Sequence, residues 1–255
     1  MDEKYIKKMI TIGRDFMKFS EEQENSDFES DQQLKKPQPP LTKAPMTDSR
    51  IDLPKNFEDL EIINDFTRIL TERKSSRVYT QTPVTLLQLS YLLWATQGVK
   101  EIRGQNYATI RTVPSGGARH PFETYLVIQN VEGLENGCYH YLPMEHQLEY
   151  LHSFEEKNIS ITTTLVGQSW AEKAAVVFYW SIVPYRCEWR YGIFAHRPAL
   201  MDIGHVGENL YLACAALELG TCGVAAYDGD SCAKVFGLDN KEEFMVYTSP
   251  VGCLK

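Results

Sequence analysis

Apolar residues recur every three or four positions in several stretches of the chain, which is the spacing of a helix with one buried face. This pattern predicts an amphipathic helix over residues 2–19, with its lysines on the outer side. It predicts a second helix over 57–70 and a third over about 85–97. Thr85 is the expected N-cap of the third helix, and Gly98 is its expected end.

The strongest helical pattern lies at residues 200–219, where apolar side chains fall on more than one side. Such a helix belongs in the core of the protein or at a subunit interface. Gly220 is expected to cap it. Two weaker patterns predict short helices near 159–166 and 230–237.

Runs of β-branched and aromatic residues between turn residues predict strands. The predicted strands cover residues 123–129, 138–142, 147–151, 174–183, 221–226 and 244–251. The second and third of these form a predicted hairpin, and the fourth is so continuously apolar that we expect both of its faces to be covered. Because helices and strands do not alternate regularly, the predicted fold class is α+β.

The residues that follow the first predicted helix differ in composition from the rest. An acidic run at 21–31 precedes four prolines between positions 37 and 45, which is typical of an extended arm. We therefore divide the chain into an N-terminal helix and arm, residues 1–55, and a globular domain, residues 56–255. The apolar side of the first helix must be covered by its own domain, by a second copy of the chain or by a partner protein.

The charge of the chain restricts its partners. The 255 residues carry a formal net charge of −8, which argues against nucleic-acid and membrane-surface partners. No apolar run approaches the roughly 18–20 residues that span a bilayer, and the first residues do not resemble a signal peptide. The six cysteines form no Cys-x-x-Cys pair, so we expect reduced thiols in a cytoplasmic protein.

The loop at residues 111–121 contains two prolines, two adjacent glycines and two arginines just before a predicted strand. Gly116 and Gly117 can adopt positive φ and present backbone N–H groups, while Pro114 and Pro121 restrict the chain on either side. Such a loop suits the edge of a flat polar ligand. An ordinary helix-to-strand turn fits the loop by itself equally well.

Three other groups of polar residues are candidates for chemistry. The cations and hydroxyls of 73–77 suit a phosphate or ribityl chain, although a solvated basic turn explains them as well. Residues 188–192 can line a pocket for a planar substrate or shield the core. The third group, Asp202, His205 and Glu208, has the spacing of either a metal site or a salt-bridge network, and a metal site is disfavoured because no second His–carboxylate pair accompanies it.

The remaining polar signals are weaker. His140, His146 and His152 lie in or beside the predicted hairpin and are expected to be surface or strand residues. The chain has no Gly-x-Ser-x-Gly elbow, P-loop or Gly-x-Gly-x-x-Gly motif, so hydrolases, NTPases and Rossmann dehydrogenases lack support.

Several motifs in this order resemble one family. They are Arg73-Lys-Ser-Ser-Arg-Val-Tyr79, Leu89-Ser-Tyr-Leu-Leu-Trp-Ala-Thr-Gln-Gly98, Arg111-Thr-Val-Pro-Ser-Gly-Gly-Ala-Arg-His-Pro121, Asn130-Val-Glu-Gly-Leu134, Gly137-x-Tyr139-x-Tyr141, Asp202-Ile-Gly-His-Val-Gly-Glu-Asn-Leu210 and Leu219-Gly-Thr-Cys-Gly223. Over roughly residues 5–252 the chain resembles the SagB/ThcOx-type dehydrogenases of the FMN-dependent nitroreductase superfamily. The resemblance implies a mainly antiparallel mixed sheet wrapped by helices, and an intertwined homodimer with FMN at the subunit interface.

The resemblance also implies a set of FMN-binding residues. Arg73, Ser75 and Arg77 match positions that hold the phosphate and ribityl chain. Residues 114–117, that is Pro114, Ser115, Gly116 and Gly117, match the loop that approaches the flavin ring, and Arg119 matches a position near its pyrimidine edge. Ala225 and Ala226 match positions whose backbone N–H groups face the hydride-carrying nitrogen, and only Lys255 matches a further basic contact to the phosphate.

One departure from the family pattern affects the predicted function. Family members that oxidise azoline rings of ribosomal peptides to azoles have a Lys-Tyr pair where this chain has Arg190 and Tyr191. Lysine can lose its proton when buried, whereas arginine stays protonated, so Arg190 is a poor general base. It can still bind an anionic or carbonyl-bearing substrate, with Tyr191 as the proton donor.

The resemblance therefore predicts an FMN-dependent oxidoreductase, with Arg190 and Tyr191 as catalytic residues. It would transfer hydride between a donor such as NAD(P)H and a small planar or unsaturated acceptor. Two alternatives remain open: an azoline-to-azole dehydrogenase that acts on a ribosomal peptide within a synthetase complex, and a non-catalytic flavin-binding subunit. In the peptide alternative, the N-terminal helix and arm would dock onto a partner protein.

Overall fold

An antiparallel sheet forms the centre of the molecule in the computed structural model, which describes residues 2–18 and 27–255. The strands of the described residues are β1 (Arg50–Asp52), β2 (Val99–Arg103), β3 (Ala108–Arg111), β4 (Phe122–Ile128), β5 (Gly137–Leu142), β6 (Gln147–His152), β7 (Val176–Ile182), β8 (Leu219–Thr221) and β9 (Phe244–Cys253). Seven of them form the sheet, in the order β1-β6-β5-β4-β7-β9-β8, and β2 and β3 form a separate hairpin.

The described residues form seven α-helices, and some of them pack on each face of this sheet. They are α1 (Glu3–Met17), α2 (Phe66–Glu72), α3 (Leu86–Gln97), α4 (Ile161–Thr164), α5 (Tyr185–Tyr191), α6 (His196–Ala216) and α7 (Gly229–Phe236). Thr85 caps α3 as predicted, since its hydroxyl accepts the Gln88 N–H while the Gln88 side chain accepts the Thr85 N–H. The predicted α+β class is confirmed.

The two faces of the sheet bury separate hydrophobic clusters. One cluster packs α3 and α6 against residues such as Leu126 and Phe178, and the other packs α4 and α7 against Tyr125 and Tyr179. All seven residues of β4 and of β7 are buried. The continuous apolar pattern at 174–183 therefore marks a strand that is covered on both sides, as predicted.

The proline-rich arm packs against the second face of the sheet. The backbone N–H of Lys43 donates to Glu123, and its ammonium group contacts Glu243 at 2.6 Å. The backbone N–H groups of Met46 and Thr47 donate to Glu149 at 2.7 and 2.8 Å. The described part of the arm is therefore fixed to the domain by buried hydrogen bonds. Residues 19–26 of the predicted helix and arm lie outside the described residues.

Four predictions of local structure were wrong. The helix predicted over 57–70 begins only at Phe66, because Asp65 caps it there and Ile63 donates its N–H to Ala216 of α6. The residues before the loop at 111–121 form the β2–β3 hairpin, so the loop is not the helix-to-strand turn that was the alternative for it. Gly220 lies inside β8, and Leu217 ends α6. The strand predicted over 221–226 ends at Thr221.

Helix α1 is the least buried α-helix of the described residues. None of its residues is buried by the described chain, and its apolar side chains are exposed: Tyr5, Ile6, Met9, Ile10, Ile12, Phe16 and Met17. Among the described residues, the domain therefore does not cover the apolar side of α1. No helix in residues 2–18 and 27–255 is long and apolar enough to cross a membrane.

Candidate active site

The loop that was predicted to approach a planar ligand is held by a single carboxylate. Oδ2 of Asp202, on α6, accepts the Ser115 hydroxyl at 2.7 Å and the Gly116 N–H at 2.9 Å. The Ser115 hydroxyl in turn accepts the N–H of His120 at 2.9 Å. Asp202 was a candidate for a metal site or a salt-bridge network with His205 and Glu208. In the structure, its carboxylate instead holds the loop.

The backbone of the loop is strained as well as fixed. Gly117 has φ 59°, and two residues with side chains also occupy the left-handed region, Ala118 at φ 53° and His120 at φ 43°. Such conformations are uncommon outside glycine and concentrate at functional sites. Burial and the neighbouring Arg111 lower the pKa of His120 to about 3, so its imidazole is neutral at neutral pH.

Arg190 and Tyr191, at the end of α5, lie directly over Gly117. A Cβ atom at Gly117 would lie 2.5 Å from Nε of Arg190 and 2.6 Å from the hydroxyl of Tyr191. Only glycine leaves room for both side chains at this point. A hydrogen bond with Tyr191 raises the pKa of Arg190, so Arg190 stays charged. The structure thus brings the predicted catalytic pair to the predicted loop.

Arg119 lies on the same side of the loop. Its Nε donates to the Gly117 carbonyl at 3.0 Å, and its Nη2 donates to the Tyr107 carbonyl at 2.9 Å. Its guanidinium group lies between the rings of Tyr107 and Trp189, at 5.0 and 5.4 Å. Arg119 is buried at the edge of the loop, and this burial lowers the pKa of its guanidinium group.

Tyr107 and Gln32 complete this group, and the motifs of the sequence indicate neither of them. Nη1 of Arg190 donates to the Tyr107 hydroxyl at 2.8 Å and to Gln32 Oε1 at 3.3 Å. Nε2 of Gln32 donates to the same hydroxyl at 2.8 Å. Tyr107 comes from the β2–β3 hairpin and Gln32 from the arm, so segments far apart in sequence orient Arg190. We call Pro114–Gly117, Arg119, Arg190 and Tyr191 the ring cluster.

Two of the predicted phosphate-binding residues, Arg73 and Lys255, line a different cavity, of about 580 Å³. Its lining includes Arg73, Lys74, Ser76, Tyr211 and Lys255. Two carboxylates at its rim, Glu72 and Glu218, both contact Arg68, at 2.8 and 3.8 Å. No carboxylate in the described residues pairs with Arg73, Lys74 or Lys255, so these cations are available to an anion.

The other predicted FMN-binding residues of this region do not line the cavity. Ser75 does not line the cavity but contacts the Tyr211 hydroxyl at 2.9 Å, and that hydroxyl accepts the Gly223 N–H. Arg77 lies over the Trp170 ring at 5.8 Å. Ala225 and Ala226 are exposed beyond β8, where Gln168 donates to the Ala226 carbonyl. We call Arg73, Ser75, Arg77 and Lys255 the phosphate cluster.

Helix α6 separates the two clusters within one chain. Asp202 holds the ring cluster and Tyr211 contacts the phosphate cluster. These two residues of α6 are nine positions apart, which corresponds to about 13 Å along the axis and about half a turn around it. The two clusters therefore lie on opposite sides of α6.

Two of the histidines in or beside the predicted hairpin are buried. His140 is a strand residue of β5, as predicted, and is fully buried, whereas His146 lies in the turn before β6 and is only 6% exposed, so it is neither a surface nor a strand residue. His146 hydrogen-bonds Ser90 and Tyr141 at 2.7 Å each. His140 lies between Glu123 and Glu149, at 3.1 and 2.7 Å. Within the described residues, no group of three or more histidine, cysteine or acidic side chains is arranged to hold a metal ion.

The family of the chain follows from its sequence. Residues 70–253 match the model of the Nitroreductase family, and the chain belongs to that family. It is 32% identical over 184 residues to MJ1384 of Methanocaldococcus jannaschii, a protein named as a nitroreductase, and the match covers 72% of this chain and 88% of that protein. The predicted superfamily is confirmed.

Two further relatives are named as peptide-processing proteins. The chain is 30% identical to the trifolitoxin-processing protein TfxB of Rhizobium leguminosarum bv. trifolii, over 55% of this chain and 34% of TfxB. It is 27% identical to the microcin B17-processing protein McbC of Escherichia coli, over 51% of this chain and 50% of McbC. These relatives support the SagB-type assignment within the superfamily.

Solved structures confirm the predicted nitroreductase fold. A nitroreductase-like protein from Ralstonia eutropha JMP134 superposes with a TM-score of 0.66 at 24% identity, covering 86% of this chain and 94% of that one. A chain of the Escherichia coli microcin synthetase McbBCD complex, solved with truncated pro-MccB17, superposes with a TM-score of 0.57 at 18% identity. That match covers 97% of this chain and 94% of the other.

Proposed function

We propose that the protein is an FMN-dependent oxidoreductase that transfers hydride between a donor such as NAD(P)H and a small planar or unsaturated acceptor. The observation that carries this proposal is the pairing of a strained glycine loop with Arg190 and Tyr191 directly over it. A flat ring would bind beside the half-exposed backbone of residues 115–118, next to Arg190 and Tyr191, whose side chains fill the space directly over Gly117.

The residues of both clusters fit FMN. Arg73, Lys74 and Lys255 give the cavity the cations that a phosphate needs. Arg119, which has no carboxylate partner among the described residues, suits the carbonyl-bearing edge of a flavin. When bound, the flavin would supply the hydride chemistry, and the protein would supply orientation and electrostatics.

The roles of the catalytic pair follow from their protonation. Arg190 stays cationic and would bind and polarise an oxygen of the acceptor. Tyr191 would donate a proton through its hydroxyl, which lies beside Gly117. Asp202 would act as a positioning residue, since its carboxylate accepts hydrogen bonds from Ser115 and Gly116 of the loop.

We also propose a homodimer in which each flavin site combines both clusters from different copies. The support is that α6 lies between the two clusters of one chain, so that one ligand does not reach both of them easily. An apolar groove of about 460 Å³ between α2, α3 and α6 offers a surface for association. Phe66, at 60% exposure, is part of that groove.

The first experiment is the visible absorption spectrum of the purified protein, before and after anaerobic NADH or NADPH. Flavin bands that bleach support the proposed oxidoreductase, and acceptor screening follows. Bands that do not bleach favour another donor or the non-catalytic flavin-binding subunit. Failure to bind FMN at all would refute the phosphate site. Arg73→Gln should weaken FMN but not riboflavin, whereas the surface control Arg103→Gln should change neither.

The dimer can be tested by mixing two variants. Arg73→Gln damages the phosphate cluster, and Arg119→Gln damages the ring cluster. If each site takes one cluster from each copy, mixed dimers contain some intact sites and regain part of the FMN binding. If both clusters of one chain serve the same site, mixing restores nothing, and the proposed arrangement is wrong.

A second candidate is the azoline-to-azole dehydrogenase that acts on a ribosomal peptide with synthetase partners. The observation that favours it is the likeness to TfxB, McbC and a chain of the McbBCD complex. The presence of Arg190 argues against this candidate, because azoline oxidation needs a general base and arginine keeps its proton. Turnover of an azoline-containing peptide by the unchanged chain would favour this candidate over the small-molecule reaction, and Arg190→Lys should increase that turnover.

A further inference from the structure

Two guanidinium groups of the ring cluster have no neutralising carboxylate. No acidic side chain among the described residues lies within ion-pair distance of Arg119 or Arg190. The nearest acidic residue in sequence, Glu188, contacts His196 instead at 2.7 Å. Uncompensated charge at a partly buried place is unfavourable. In a chain of net charge −8, this local excess of positive charge points to an anionic ligand.

The Tyr107 hydroxyl adds a donor at the same place. Its oxygen already accepts hydrogen bonds from Arg190 and from Gln32, both at 2.8 Å. A phenol has one proton and two acceptor sites, so the remaining capacity of this hydroxyl is to donate. None of the described residues accepts that proton, and the side chain is 41% exposed. The hydroxyl is therefore oriented by protein donors and is open to a ligand acceptor.

We propose that Arg190 and Tyr107 form a binding site for a carboxylate of the acceptor substrate. A carboxylate accepts from a guanidinium N–H and from a hydroxyl at once. Because Nη1 of Arg190 already donates to Tyr107 and Gln32, the carboxylate would accept from the remaining N–H groups of this guanidinium and from the Tyr107 hydroxyl. Gln32 is the positioning residue, because it contacts both partners. This inference rests on the proposed function for assigning the ligand to the acceptor, and it narrows the acceptor to a planar acid.

The test is calorimetric titration of the FMN-loaded protein with benzoate and with benzamide, which have the same shape but differ in charge. Benzoate should bind at least tenfold more tightly than benzamide. Tyr107→Phe keeps the ring beside Arg119 and removes only the hydroxyl, and we expect it to lower benzoate affinity severalfold with benzamide unchanged. Arg190→Gln should abolish the preference. Arg103→Gln, on the same hairpin, and Tyr5→Phe, on α1, are the matched controls.

Each outcome bears on the proposal. Equal affinity for the two ligands, or a preference that survives both variants, would overturn the carboxylate site while leaving flavin binding and reduction by NAD(P)H intact. If the protein does not bind FMN, the proposed function fails. The same titration of the flavin-free Arg73→Gln variant then tests the carboxylate site alone, because that variant weakens competing anion binding at the phosphate cavity.

Discussion

The carboxylate of Asp202 accepts the hydroxyl of Ser115 at 2.7 Å, across 87 positions of sequence. The same oxygen accepts the N–H of Gly116. Burial raises the pKa of Asp202, while these two hydrogen bonds oppose that effect. One side chain of α6 therefore fixes the loop over which Arg190 and Tyr191 lie.

Replacing Asp202 by alanine should loosen the loop. The change leaves the Ser115 hydroxyl and the Gly116 N–H without their acceptor, which costs about 1–3 kcal/mol for buried groups. We expect a lower free energy of unfolding and weaker FMN binding in Asp202→Ala. Chemical denaturation and flavin titration measure the two effects. Asp202→Asn keeps an oxygen acceptor and should lose much less; equal losses in both variants would contradict the positioning role.

Gly117→Ala should displace the catalytic pair. The new methyl group would lie 2.5 Å from Arg190 Nε and 2.6 Å from the Tyr191 hydroxyl, so these side chains must move. We expect at least a tenfold fall in kcat/KM, measured with the best acceptor found by screening. Gly133→Ala is the matched control, because Gly133 also has positive φ, at 78°, but nothing lies near its Cβ position. A similar loss in both variants would indicate backbone strain alone.

The structural features that were predicted correctly are those that depend on residues close together in the sequence. The Thr85 cap, the β5–β6 hairpin and the buried strand β7 follow from local spacing and turn chemistry. The pair of adjacent glycines marked the loop because one of them, Gly117, needs positive φ. Local propensity failed at 57–70, where Ile63 bonds to α6 instead of continuing a helix.

Long-range partners could not be predicted in this way. Tyr107 and Gln32 reach Arg190 across 83 and 158 positions, and no motif connects them. The histidine of β5 was likewise expected to be an ordinary strand or surface residue, whereas His140 is the centre of a buried charge network. Such partners are determined by strand order and by the course of the arm, which spacing does not encode.

The buried network of His140, Glu123 and Glu149 makes the free energy of unfolding depend on pH in two directions. Burial by itself would lower the pKa of His140, but Glu123 and Glu149 outweigh it, so the pKa is raised above 6.5. Burial by itself would raise the pKa of Glu123, but Arg186 and His140 outweigh it, so the pKa lies below 4.5. The contribution of His140 is therefore complete below about pH 6.5 and is lost as pH rises through its folded-state pKa.

The contribution of Glu123 has the opposite sign. It is present above about pH 4.5 and is lost as pH falls through the lowered folded-state pKa. We expect the free energy of unfolding to be greatest between these limits. His140→Gln should remove the decline at higher pH and destabilise the protein by about 3–5 kcal/mol, because it leaves two buried carboxylates less compensated. His205→Gln, at an exposed position of α6, should leave the pH profile unchanged in denaturation curves.

The helix and the arm of the N-terminal segment differ in their contacts with the domain: α1 has no buried residue, whereas the arm donates hydrogen bonds to Glu123 and Glu149. Deleting residues 1–18 removes a helix with no buried residue, so the Tm of the isolated chain should change by no more than about 2–4 °C. Deleting residues 1–48 also uncovers Glu123 and Glu149, which lose the N–H donors of Lys43, Met46 and Thr47. Several kcal/mol of stability should then be lost even without any partner protein.

The two deletions distinguish an arm that stabilises the domain from an arm that docks onto a partner protein. If the longer deletion left the Tm unchanged and reduced activity only when partner proteins were present, the arm would serve for docking, and its packing against the sheet would matter little. If the shorter deletion lowered the Tm in a way that depended on protein concentration, a second copy of the chain would cover α1. The buried contacts of Lys43 and Thr47 favour the structural role for the arm, since water cannot replace their hydrogen bonds to Glu123 and Glu149 without opening the sheet face.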